Sequence, residues 1–178
     1  FQQFLGSLAE MGVLIGVASK NDSALVEEAF LRDDLIVSKD CLFPIEAHWG
    51  PKSDSVDRIL RAWNVGADSV VFLDNSPMEL AEVKESFPEV ECIQYPAGND
   101  QAVYELIYKL RDIFGKDSLS KEDSIRSASI RSANSPERES ELVGQGLDAF
   151  LKGAEAEVSF GFAKNCLDPR ALELVNKT

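Results

Sequence analysis

Three apolar runs of the chain end on polar side chains suited to phosphate and to a hard metal ion. The run VLIGVASKND ends on Ser19, Lys20 and Asn21, HWGPKSDS presents Lys52 beside Pro51, and SVVFLDNSP ends on Asp74 and Asn75. A hydroxyl followed by free backbone N–H groups binds a phosphoryl oxygen where a helix begins. A lysine at a helix start runs against the helix dipole, which favours anions there, so Lys52 reads as held for an anion or a carboxylate. An aspartate at the end of a buried strand is costly unless it is paired or sits on a metal. Hard oxygen ligands suit magnesium, the usual partner in phosphoryl transfer. Taken singly, each residue has a plainer reading: a capping serine, a solvated lysine, a helix cap at Asp74 or Asn75. Taken in order, they supply one anion binder, one charge neutraliser and one metal ligand.

The elements that would position these residues alternate. Phe1, Phe4, Leu5, Leu8 and Met11 share a helical face that Gly12 ends. Residues 13–18 form a near-continuous apolar run, as in a strand buried on both faces of a parallel sheet. Asn21, Asp22 or Ser23 can cap a helix with the face Leu25, Val26, Ala29 and Phe30, and a short strand is expected at residues 35–37. Pro51 opens a helix carrying Val56, Ile59, Leu60 and Trp63 at helical spacing. Residues 69–73 read as the next strand, Pro77 as the start of a helix with Leu80, Val83 and Phe87 inward, and residues 90–95 as a further strand. Val103, Leu106, Ile107, Leu110, Ile113 and Phe114 make the stripe of a last helix. Strand–helix alternation of this kind predicts an α/β fold with a parallel sheet, whose ligands bind at the carboxyl ends of the strands. All three polar stations lie at or just after such ends.

Residues 116–145 break the pattern. They are rich in serine and charge, repeat SIRSA twice in succession, and read as a polar linker or a solvated helix. Residues 146–178 regain apolar periodicity, with a short helix around Leu147, Phe150 and Leu151, a strand at 158–162 and a helix at 169–177, as at the start of a second region. The domain expectation is therefore 1–115, 116–145 and 146–178.

Of 178 residues 44% are hydrophobic, enough for a core, and the net charge is −13. That charge argues against nucleic acid or an anionic membrane as partner, since both need a basic surface. Cys41, Cys92 and Cys166 are odd in number and widely spaced, and the single histidine leaves no zinc pattern. They read as reduced, mostly buried thiols, and the chain as cytoplasmic. His48 and Trp49 stand just before Lys52, where they could touch a substrate or pack as a loop. Glu79 reads as a first-turn carboxylate favoured by the helix dipole.

VASKND, HWGPKS and VVFLDNSPMEL resemble motifs two, three and four of the haloacid dehalogenase-like (HAD) superfamily. The SKND, W-x-PKS and FLD-x-x-P-x-E elements and the following FPEV are similar to the FkbH-like subfamily. GLDAFLKGAEAEVSF resembles the passage from that subfamily's HAD domain into an acyltransferase-like region. The resemblance implies a Rossmann-like three-layer HAD fold with a parallel sheet, and magnesium as cofactor. It places the phosphate-binding hydroxyl on Ser19, with Lys20 and Asn21 beside it, the motif-three lysine on Lys52 and the magnesium ligand on Asp74. Asn75 stands where the family usually has a second aspartate. Motif one, which supplies the nucleophilic aspartate on the fold's first strand, has no counterpart before Ser19, and the resemblance makes that strand central. It also implies a phosphorylated small-molecule substrate and, for FkbH-like proteins, transfer of a glyceryl unit to the thiol of an acyl carrier protein. The expectation is a fragment of such an enzyme, inactive alone. The alternatives are a non-catalytic module that docks a carrier protein and a phosphatase of small metabolites.

Overall fold

The structure, a computed structural model, describes residues 1–134. The expectations at 146–178, and Cys166 with them, lie outside these residues. Helix α1, Gln2–Glu10, buries Leu8 and gives way at Gly12, whose φ of 81° suits glycine. Strand β1, Ile15–Ser19, leads to α2, Ser23–Ala29, capped by Asp22 through the Ala24 N–H. Strand β2, Leu42–Ala47, leads to α3, Lys52–Trp63, and β3, Val71–Asp74, leads to α4, Pro77–Ser86. Strand β4, Glu91–Gln94, and α5, Asp100–Phe114, complete the alternation, and α6, Lys121–Ala133, follows.

The short strand expected at 35–37 is not formed. Its backbone is held instead by Gln2, whose Oε1 accepts from the N–H groups of Ile36 and Val37. The strand lies further on, in LFPIEA, where Pro44 masks the pattern. Proline lacks the N–H a central strand needs, and β2 tolerates it because among the described residues it borders only β1.

The strands form two two-stranded parallel sheets, β1–β2 and β3–β4, rather than one continuous sheet. Their carboxyl ends lie together, since Lys52, just beyond β2, bonds to Asp74 at the end of β3, and Ser19 pairs with Ala47. Helix α2 packs on β2, and α3 packs on both β1 and β2. Helix α4 packs beside α3 and against β3 and β4. The core lies here: Val83 and Val90 are fully buried, with Val56 and Phe72 against them.

Between β1 and β3 runs a slot of about 870 Å³. No residue of β1 is fully buried, unlike the doubly buried strand its apolar run predicts. Because β1 lacks a neighbour on that side among the described residues, its side chains remain half-open. Helix α6 takes up part of the serine-rich stretch. Its Ser120–Asp123 capping box satisfies the first turn, Asp123 accepts from Lys116 at 2.5 Å, and Arg131 reaches the carbonyls of Asp40 and Leu42. No helix of the described residues is long and apolar enough to cross a membrane.

Candidate active site

Lys52 is the first residue of α3 and Asp74 the last of β3, and the fold brings their side chains together. Lys52 Nζ lies 2.6 Å from Asp74 Oδ2, with side chains only 12% and 8% exposed. Asp74 Oδ1 accepts from the Ser76 N–H at 2.8 Å, so each carboxylate oxygen has one partner. The Lys52 ammonium also lies 5.9 Å from the centre of the Phe72 ring, a cation–π distance that helps to hold it. Ser76 caps α4 and Pro77 takes the position where a missing N–H is harmless, which fixes the turn after Asp74.

Ser19 ends β1, its carbonyl accepting from the His48 N–H at 3.1 Å. No hydrogen bond joins Ser19 to Asp74 among the described residues. Lys20 beside it crosses to α4: its Nζ is 2.9 Å from Glu79 Oε2 and 3.3 Å from Glu82 Oε2. Both pairs hold the Lys20 ammonium above its ordinary range, Glu79 foremost. Asn21 turns inward on its own chain, accepting from the Asp22 N–H. Asn75 is exposed at the mouth of the slot.

Glu82 is the residue that sequence reasoning passed over. Its Oε1 accepts from the Ser53 N–H at 3.0 Å, where α3 has no capping side chain of its own. Burial works against its ionisation, but the Ser53 N–H, Lys20 and the Lys52 N–H outweigh it and hold the carboxyl below its usual range. The signal was present in the sequence: Glu79 and Glu82 lie one turn apart in the helix that follows Asp74. Glu79, read as a dipole carboxylate, is a partner of Lys20.

His48 is held by its loop, Nδ1 accepting from the Gly50 N–H at 2.9 Å and Nε2 meeting Ser55 Oγ at 2.8 Å, while Trp49 is 73% exposed. Cys41 and Cys92 are free and half-buried rather than buried, and burial pushes the Cys92 thiol up, away from reactivity.

Asp74 retains lone pairs beyond its two hydrogen bonds and could give a metal ion one carboxylate. Among the described residues no group of three or more His, Cys, Asp or Glu is placed to hold a metal. One carboxylate fits magnesium, which is often held by one or two carboxylates together with water and substrate phosphate.

No protein-family model matches the chain, and no curated protein does. A solved structure is similar: the N-terminal part of the protein BF1531 from Bacteroides fragilis, containing a phosphatase domain complexed with Mg. The two share 32% identity with a TM-score of 0.59, over 67% of this chain and 31% of that one. The likeness supports a HAD-like fold, and this chain spans about a third of the length of that crystallised N-terminal part.

Proposed function

We propose that the chain carries the charge-stabilising part of a HAD-like, magnesium-dependent phosphoryl-transfer site. The observation that carries this reading is the buried Lys52–Asp74 pair at the shared carboxyl ends of the strands. Lys52 would neutralise charge on a bound phosphoryl group, and the Ser19 hydroxyl would donate to one of its oxygens. Lys20 and Asn21, beside Ser19, would adjoin that phosphoryl group as the resemblance implies, with the Lys20 ammonium already committed to Glu79 and Glu82. Asp74, with Asn75 adjoining, would hold magnesium, which when bound supplies further charge neutralisation to the phosphoryl oxygens. The substrate would be a phosphorylated small molecule. The SKND and W-x-PKS elements support the FkbH-like version of this reading, in which a glyceryl unit passes to the thiol of an acyl carrier protein.

No aspartate precedes Ser19 in the chain, so it offers no motif-one nucleophile and would be inactive alone. Two measurements test the reading. Magnesium with inorganic phosphate should raise the melting temperature of the chain, and Asp74→Ala should abolish that rise. No rise in the parent chain counts against the site. The chain with magnesium should not hydrolyse p-nitrophenyl phosphate, and hydrolysis that Asp74→Ala removes would overturn the claim of inactivity.

A further inference from the structure

Glu82 stands on α4, yet both of its carboxylate oxygens are spent on other elements. Oε1 accepts from the Ser53 N–H at 3.0 Å and from the Ser53 hydroxyl at 3.4 Å, at the start of α3. Oε2 lies 3.3 Å from Nζ of Lys20, the residue after β1. Glu79, one turn earlier on α4, meets the same ammonium at 2.9 Å. Helix α4 is itself fixed to the end of β3, since Asp74 Oδ1 accepts from the N–H of its capping Ser76. One carboxylate thus joins the segment after Ser19, the turn that carries Lys52 and the helix that follows Asp74.

Each joint has a physical reason. The first N–H groups of a helix lack partners within it, and α3 begins after Pro51 with no capping side chain of its own. Glu82 supplies that cap from another helix, and its negative charge suits the positive end of α3. With Glu82 in place the start of α3 is taken, so its N–H groups are not free for an incoming anion. The charge left to meet an anion there is the Lys52 ammonium, on the first residue of the capped turn. Lys20 is the other joint. Its ammonium is held by two carboxylates of α4, which makes it a strut between β1 and α4 more than a free cation. The side chains of Lys20 and Glu82 are each 31% exposed and that of Glu79 18%, so solvent screens the pairs only in part.

We infer that Glu82 is a positioning residue: its carboxylate holds Lys20 and the first turn of α3 in one register, so that the Ser19 hydroxyl and the Lys52 ammonium face the same phosphoryl group. What the two stations hold rests on the phosphoryl-transfer reading, and the tie between them rests on geometry alone. Glu82 touches no substrate in this role. It acts through Ser53 and Lys20, and a small misplacement of binding groups is costly.

The test uses the whole chain, with magnesium and inorganic phosphate as the probe. Glu82→Ala should weaken phosphate binding about tenfold by calorimetry. It should also speed amide exchange at Lys52 and Ser53 about fivefold, the effect of a lost cap. Glu82→Gln keeps an oxygen for the Ser53 N–H but not the charge. It should leave the Ser53 amide protected and lower the Lys20 pKa, which Glu79 foremost and then Glu82 hold up. Its phosphate affinity should fall between those of the parent and Glu82→Ala. Lys84→Met is the control, because it removes bonds to the Pro88 and Val90 carbonyls at the amino end of β4. It should destabilise the chain and leave phosphate affinity unchanged. Equal weakening by Lys84→Met and Glu82→Ala would overturn the inference, since stability alone would then account for both. So would phosphate binding by both Glu82 variants at the parent's affinity. Absence of phosphate binding in the parent would instead sink the phosphoryl-transfer reading, and NMR would still decide the tie. If neither the Lys20 pKa nor the Ser53 amide responds to Glu82→Ala, Glu82 positions nothing. Should Glu82→Ala fail to fold, Glu82→Gln carries the same comparison through phosphate affinity and the Lys20 pKa.

Discussion

The β3–β4 half and the β1–β2 half have the same plan, yet the buried cluster centres on one of them. Phe72 of β3 is buried between Val56, Val83 and Val90, and Leu60, Leu80, Phe87 and Cys92 pack around them, with Ala18 of β1 reaching in from the other half. In β1 every residue is half-open, and β2 buries only Leu42. The β3–β4 half is covered on one face by α4, which touches both its strands, and the fully buried Val83 comes from that helix. The β1–β2 half leans on α3 and on the short α2, and α2 buries no residue. A strand in this fold thus owes its burial to its neighbours as much as to its own apolar sequence.

The largest test of this contrast is a pair of truncations. Phe72→Ala should lower stability by about 3–5 kcal/mol, because a large cavity opens in packed surroundings. Val17→Ala, in the half-open strand, should cost about 1 kcal/mol. Urea denaturation of both variants measures the difference, and equal losses would mean that the two halves share one core.

Next in size is the pair that bridges β3 and the start of α3. Asp74→Asn leaves the Lys52 ammonium largely buried without a counter-charge and should cost about 3 kcal/mol. Adding Lys52→Met should recover most of that loss, since the uncompensated charge goes with it. A double-mutant cycle read by denaturant midpoint checks this. A double variant as unstable as the single one would show that packing around Asp74, rather than charge, sets its contribution.

Much of this contrast was legible in the residues. The stripes of α3 and α5 and the strands at Val71–Asp74 and Glu91–Gln94 follow hydrophobic period closely. Lys52 and Asp74 were legible because each sits at an element boundary where its charge is anomalous. The β2 strand was not, because Pro44 removes a ladder donor and only an edge position makes that tolerable. Glu82 was missed because its role depends on two elements that the chain brings to it from far away, Lys20 and the start of α3. Nor could composition say that the polar stretch after Lys116 would dock as α6, since its anchors are few. Asp123 and Arg131 attach to groups a long way back in sequence or to a single lysine.

Of moderate size is the effect of Gly12, where the turn after α1 passes under α6. A Cβ at Gly12 would lie 2.6 Å from the Asp123 carbonyl oxygen, and φ there is positive. Gly12→Ala should therefore cost about 1–3 kcal/mol. The loss should appear first as faster amide exchange in α6 and β1, with β3 and β4 little changed. Uniform acceleration across both halves would place α6 within the main core instead of on the weaker side.

The smallest effect expected is one of pH, and it too falls on the β1–β2 side. Lys116 beside Asp123, with the Ser120 N–H, holds that carboxyl well below the usual carboxylate range, although burial works against it. A depressed pKa means that the unfolded chain takes up its proton first as pH falls. The stabilisation is therefore complete above the ordinary aspartate value of about 3.9 and is lost progressively below it. Acidification should loosen α6, releasing Arg131 from the carbonyls of Asp40 and Leu42 at the start of β2. In an NMR titration from neutral pH downward, the amides of α6 and β2 should lose protection before those of β3 and β4. Asp123→Asn should remove that acid-dependent step while leaving the helix less firmly docked at neutral pH. If β3 and β4 lose protection at the same pH as α6, then the two halves melt as one unit and α6 is no prop for the weaker one.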